Sequence, residues 1–414
     1  MRARYFYGWN VVAATFVMAM FSFGLGFYGL TVYVATLERQ HGWSAAAVSA
    51  PVTVYYVAGA LLTMVIGGVY ERLGPRAVVT AASLTMAAGL AALGWVTTPQ
   101  WLYPVFLVMA LGWGAMSGAA INVVLAPWFH RRRGLVVSLA FNGATLGGVV
   151  VAPALLLLIE RVGFRRAVTL AALGLVLVML PIAVGVMRRG PEVLALGPDG
   201  DPPRLTDAPV PAPECSTSYA LRTWRFWSVS APFALGLTAQ VGVLTHLVSV
   251  VTPVLGAGGG ARALSATTAA AVAGRLATGL VVDRLNRRLL TSATLAVQIV
   301  GLTLLARGGS AASVYAGCAL FGLGVGNLTT LPGLVLAVEW PRERFATLVG
   351  LVVGINQFTF AFGPSLVGVL RDRVGADAPA LGACVALQAV AAVMILLGPG
   401  RDRATAAPRV SPRG

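Results

Sequence analysis
Long stretches without a charged side chain alternate along the chain with short knots of arginine, proline and glycine. A bilayer core about 30 Å thick is crossed by roughly 20 apolar helical residues, and twelve stretches come near that length. They fall near 8–34, 47–69, 77–96, 102–126, 134–159 and 167–187, then near 226–252, 264–282, 289–306, 311–337, 345–370 and 378–398. Only the turn-forming run Thr97-Thr98-Pro99-Gln100 separates the third from the fourth. Segment 188–225 holds seven prolines, three aspartates and two glutamates and has no helical period, so it reads as a flexible cytoplasmic linker. The pattern predicts an all-α integral membrane protein of twelve transmembrane helices. Two six-helix bundles, 1–187 and 226–398, flank the linker, and a disordered tail follows over 399–414.

Composition agrees with lipid as the solvent. Of 414 residues 57% are hydrophobic and 11% charged, where soluble domains carry roughly a quarter charged. All 30 basic residues are arginine. Without lysine the chain has neither a Walker A loop nor a Schiff-base site, which excludes ATP-driven transport by this chain alone. A net charge of +16 would suit nucleic acid if the arginines shared one soluble face. They sit instead between spans, as in Arg131-Arg132-Arg133 and Arg287-Arg288. With the amino terminus inside, 21 arginines lie on the side of the tails, 8 on the other and one within a span. That asymmetry predicts a multi-pass protein of the inner (cytoplasmic) membrane with both termini cytoplasmic. Cys215, Cys318 and Cys384 are widely spaced, and His41, His130 and His246 share no helix. No metal, cofactor or enzymatic chemistry is expected.

Set against itself at an offset of 212, the chain matches at several landmarks. Glu71-Arg72 meets Asp283-Arg284, Gly67 meets Gly279, Trp128 meets Trp340, and Glu160-Arg161-Val162-Gly163 meets Asp372-Arg373-Val374-Gly375. One offset shared by loops and spans marks parallel repeats, between which transporters place substrate near the midplane. The loop after the second span (Gly67, Glu71, Arg72, Gly74, Arg76) and its copy (Gly279, Asp283, Arg284) read as a latch in which charges at helix ends close one face. The alternative is an ordinary positive-inside loop.

This architecture with its duplicated loop resembles the major facilitator superfamily, which implies alternating access and secondary transport. Trp128-Phe129-His130-Arg131-Arg132-Arg133-Gly134 leading to Ser138, Ala140, Gly143 and Gly147 is similar to a signature of monocarboxylate transporters. Tyr7-Gly8-Trp9, and Gly363-Pro364 with Gly368 and Asp372, resemble the same group and its bacterial oxalate/formate exchangers.

One charge lies inside a span. Arg275 stands eight residues from Asp283, about 12 Å along a helix, a depth that costs several kcal/mol without a wet cavity or an anionic partner. It reads as an anion site, against structural pairing with carbonyls or snorkelling. The resemblance implies the first, since those transporters hold the substrate carboxylate on an arginine of the eighth span. Where relatives place a coupling aspartate and a lysine, this chain has Ala271 and Tyr28, and Asn356 and Gln357 stand where exchangers have a second lysine. A single cation favours a monoanion. His246 reads as a proton carrier or a packing residue, Asn142 as a substrate ligand or interhelical glue. The partners expected are therefore a small carboxylate and a proton, in a monomer within the bilayer. The rival reading is an efflux antiporter for amphipathic compounds.

Overall fold
The computed structural model describes residues 6–129, 131–187, 194, 197–201, 221–256, 258–282, 284–340 and 342–398. Most of the linker, the tail over 399–414, His130 and the latch residue Asp283 lie outside the described residues. The first half holds α1 (Gly8–His41), α2 and α3 within Ala45–Leu93, α4 (Pro99–Leu125), α5 (Leu135–Val162) and α6 (Phe164–Gly185). At 1.5 Å per residue, the 49 residues of Ala45–Leu93 would run about 70 Å. They form two crossings because Gly74 breaks the helix at φ 76, ψ 158, a conformation open to glycine alone at low cost. The second half holds α7 (Trp224–Leu255), α8 (Gly259–Val281), α9 (Arg287–Arg307), α10 (Ala311–Val325, then Leu331–Glu339), α11 (Leu348–Val374) and α12 (Asp377–Leu396). The twelve crossings expected are all present.

Burial shows how the halves meet. One continuous apolar core runs from the first half into residues 239–251, 261–271 and 361–367 of the second. A separate core around Phe226, Phe233, Leu331 and Trp340 fills the other end of the second half. The halves are thus joined toward the end that carries the α1–α2 and α7–α8 turns. Toward the opposite end, Glu71, Arg72 and Arg76 and the copy's Arg284 are exposed.

Contact between helices depends on missing side chains. A Cβ on Gly143 of α5 would strike the backbone of Phe16 in α1, and one on Gly274 of α8 would strike Leu323 of α10. Gly67, Gly74 and Gly279 have nothing within 4 Å of such an atom. We therefore expect Gly274→Ala to cost about 1–3 kcal/mol of overpacking, seen as a lower unfolding midpoint in detergent. Gly279→Ala, one turn from the open end, should leave that midpoint within about 0.5 kcal/mol of wild type.

Candidate substrate site and gate
Several helices are interrupted at mid-depth, and the interruptions surround Arg275. In α1 the backbone changes register where the N–H groups of Phe27 and Tyr28 both donate to the Phe23 carbonyl. The Leu25 and Gly26 carbonyls beside this break accept the hydroxyls of Tyr33 (3.0 Å) and Tyr55 (2.7 Å). Inside a membrane such groups must find protein partners. In α5 the stretch Gly147–Val151 is a π-helical turn, a bulge common at functional sites. In α10 the helix opens between Val325 and Leu331.

Arg275 sits sixteen residues from Gly259, about 24 Å from the start of α8. Its Nη1 donates to Thr145 Oγ1 of α5 across the two halves at 3.0 Å, and its Nη2 donates to the Gly326 carbonyl at 3.4 Å. Its Nε is buried without a hydrogen-bond partner. A Cβ at Gly326 would lie 3.0 Å from both Nε and Nη2, so only glycine lets α10 approach this edge. No carboxylate pairs with Arg275 among the described residues. The Tyr28 ring covers Gly148 of the α5 bulge, one turn along α5 from Thr145. On the other side, Asn327 donates to the Gly274 carbonyl and fixes α10 against α8.

The sequence-derived candidates divide into four groups. Arg275 and Tyr28 both meet α5 within one turn, at Thr145 and at Gly148. Asn142 is exposed one turn along α5 from Thr145, on the same face and toward the open end. Asn356 is buried with Oδ1 unpartnered, and Gln357 beside it is half-buried. His246 is fully buried at the closed end, away from Arg275 and in a cluster of its own.

That cluster is the gate. Arg371 of α11 donates from Nη1 to Glu38 of α1 at 3.0 Å and from Nε to Asp377 at 2.6 Å. His246 Nε2 lies 3.1 Å from the Pro364 carbonyl and Nδ1 3.0 Å from Arg371 Nη1. A carbonyl only accepts, so Nε2 carries the proton and Nδ1 accepts from the guanidinium. Asp372 of α11 accepts the Ala45 and Ala46 N–H groups at the start of α2, at 2.8 and 2.7 Å. Glu160 of α5 accepts the Gly258 N–H at the start of α8, at 3.1 Å. These anions meet the positive ends of helices. Below them Thr53 bonds Ser365 at 2.7 Å and Thr268 bonds the Gly148 carbonyl at 3.0 Å.

Of the latch expected around Gly67, Glu71, Arg72, Gly74, Arg76, Gly279, Asp283 and Arg284, Asp283 lies outside the described residues. Glu71, Arg72, Arg76 and Arg284 are exposed and make no ion pair among the described residues. Arg288, in the same duplicated loop, instead holds Glu339 bidentately at 2.6 and 2.8 Å and bonds the Ile395 carbonyl, tying α9 to α10 and α12 within one half. Sequence reasoning missed this clasp and the Glu38–Arg371 pair. Asp372 is marked in the sequence only as an offset landmark and Glu339 only as the neighbour of Trp340, while Glu38 meets Val250 at the same offset. It also missed the buried chain Gln388–Gln298–Gln240 (2.8 and 2.9 Å), which ends on the Val325 carbonyl at the α10 break.

Comparison with known proteins follows this geometry. The Major Facilitator Superfamily model matches residues 16–364. The chain belongs to that family. This facilitator is 30% identical over 397 residues to Monocarboxylate transporter 11 of Homo sapiens, covering 89% of this chain and 78% of that protein. It is 27% identical over 266 residues to the oxalate:formate antiporter of Oxalobacter formigenes, covering 60% and 59%. The crystal structure of the nucleoside transporter NupG superposes with a TM-score of 0.72 at 12% identity, covering 94% and 98%, a likeness of fold. The facilitator is a multi-pass membrane transporter and not an enzyme. Among its described residues no group of three or more His, Cys, Asp or Glu is placed to hold a metal ion.

The gate geometry makes a direct prediction. Glu38→Gln keeps the shape but removes the charge that Arg371 holds across the halves, so the closed end should loosen. Spin labels on Gln100→Cys and Ala311→Cys, both exposed at that end, should report a longer and broader distance in the variant. An unchanged distribution would mean that the helix-end carboxylates hold the gate without the ion pair.

Proposed function
We propose that this facilitator moves a small monocarboxylate anion across the cytoplasmic membrane by alternating access, coupled to a proton. The supporting observation is Arg275. Among the described residues, this guanidinium within a span is met by the neutral acceptors Thr145 and Gly326 alone, and its Nε is bare. A carboxylate offers that fork two parallel bonds at once. One cation with Tyr28, Asn356 and Gln357 nearby in sequence role, and no lysine in the chain, suits a single negative charge. Relatives named for monocarboxylates and for oxalate and formate support the anionic class.

The arginine bias puts both termini in the cytoplasm, so the open end faces the cytoplasm and the Glu38–Arg371 gate faces outward. Substrate would enter the site from either side as the gate and the opposite loops alternate. Thr145 holds Arg275 until the anion arrives, and Asn142 stands on the approach path. A second reading, anion exchange, has its own support: with no acid beside Arg275, an empty carrier would carry an uncompensated charge through the closed state, which disfavours its return unloaded.

Proteoliposomes distinguish these readings. Labelled lactate, pyruvate or formate should accumulate under an inward proton gradient, and Arg275→Ala should lower uptake at least about tenfold, the scale of a lost charged hydrogen bond. Uptake that ignores the gradient but rises with the same acid preloaded inside would select exchange. Unaltered uptake by Arg275→Ala would remove the carboxylate assignment.

A further inference from the structure
The groups above Arg275, toward the gate, are aromatic. Phe27, at the α1 break, meets Tyr28 at 5.2 Å between ring centroids and Tyr56 of α2 at 6.0 Å, both edge to face. Tyr56 in turn meets Phe360 of α11, in the opposite half, at 5.4 Å and 86°. Tyr28 and Tyr56 are buried, while Phe27 and Phe360 keep part of their rings uncovered. Counted from the closed ends of their helices, Tyr28, Tyr56 and Phe360 lie 13, 11 and 14 residues in, against 16 for Arg275. At 1.5 Å per residue that sets the rings a few Å nearer the gate than the guanidinium. The layer ends where α11 is interrupted after Phe360.

A carboxylate bonded to Arg275 leaves the rest of its molecule in one of two places, the open end or this ring layer. Formate has nothing to place there. A dianion would set its second charge against ring π-faces, which repel anions, with no second cation in reach among the described residues. A planar apolar group fits, because partly uncovered Phe27 and Phe360 present edges and faces from both halves. Such a group would also bring the two halves together over itself, which is what a site at the interface of alternating halves requires.

We propose that the preferred substrates are aromatic monocarboxylates of benzoate size, with the carboxylate on Arg275 and the ring among Phe27, Tyr28, Tyr56 and Phe360. This rests on the carboxylate reading above. Edge-to-face aromatic pairs add attraction beyond area burial, so a ring held by two or more of them gains clearly over a methyl group.

The test is calorimetric titration of the purified full-length protein in detergent with benzoate, and with acetate and oxalate by competition against it. Benzoate should bind at least about tenfold more tightly than acetate, about 1.4 kcal/mol, and oxalate no more tightly than acetate. Phe27→Ala and Phe360→Ala should each weaken benzoate about fivefold or more and leave acetate unchanged. Arg275→Ala should abolish both. Phe27→Leu and Phe360→Leu keep apolar bulk without a ring, and should show the same selective loss if the alanine variants fold poorly. Benzoate binding no tighter than acetate, or equal losses for the two acids, overturns the aromatic assignment while the carboxylate reading stands. Benzoate binding undiminished by Arg275→Ala, or no binding of any acid, overturns both.

Discussion
A guanidinium at mid-bilayer depth can be neither hydrated by bulk water nor left without acceptors, and the architecture around Arg275 answers to that constraint. The turn of α5 just before its bulge presents Thr145, the α10 break presents the Gly326 carbonyl, and glycine at 326 permits the approach. Each interruption frees backbone groups that lipid cannot satisfy. The chain meets them with tyrosine hydroxyls in α1 and with the Gln240 amide in α10. At these two breaks a tyrosine or glutamine side chain receives the irregular backbone. A simple twelve-helix bundle would have no such place for a charge.

The gate solves a different problem with some of the same helices. It must close tightly and still separate: beside the apolar core that the halves share at that end, an ion pair and two capping carboxylates cross between them, set over hydroxyl bonds. Entering water rehydrates each of these polar groups as it parts, which it cannot do for the apolar contacts. Truncating one partner while the gate stays shut is another matter, since an uncompensated buried charge costs about 3–5 kcal/mol.

Much of this was legible in the sequence. Span count and the duplicated halves follow from hydropathy and one offset, which are properties of the whole chain and survive local irregularity. Arg275 was legible because a lone charge in an apolar run has few alternative meanings. Its acceptor Thr145 was not, since a threonine in a small-residue helix face looks like packing, and its role arises only where α5 and α8 cross. His246 shows the opposite limit. It reads as either a proton carrier or a packing residue, because sequence places a residue along a helix and not around it, and its contacts with Glu38 and Arg371 come from chain positions 125 or more residues away. The loop around Glu71 and Arg72 reads as a latch able to close one face, and in this conformation Glu71, Arg72 and Arg284 are exposed.

The two capping carboxylates have a consequence for how such a chain arises. Glu160 and Asp372 are related by the 212-residue offset, and so are the helix starts they cap, Ala46 and Gly258. Each half therefore offers one acid and one helix start to the other, reciprocally. That is the self-complementary contact of an isologous dimer. A single ancestral half-chain with this acid and this helix start would have made both contacts by pairing with its own copy. Fusion of two such copies would keep the gate symmetric while freeing the interior to diverge. The interior has diverged: Arg275 faces Thr63 across the repeat, Thr145 faces Gln357, and Tyr28 faces Gln240. The proposed binding site is where the two halves no longer match.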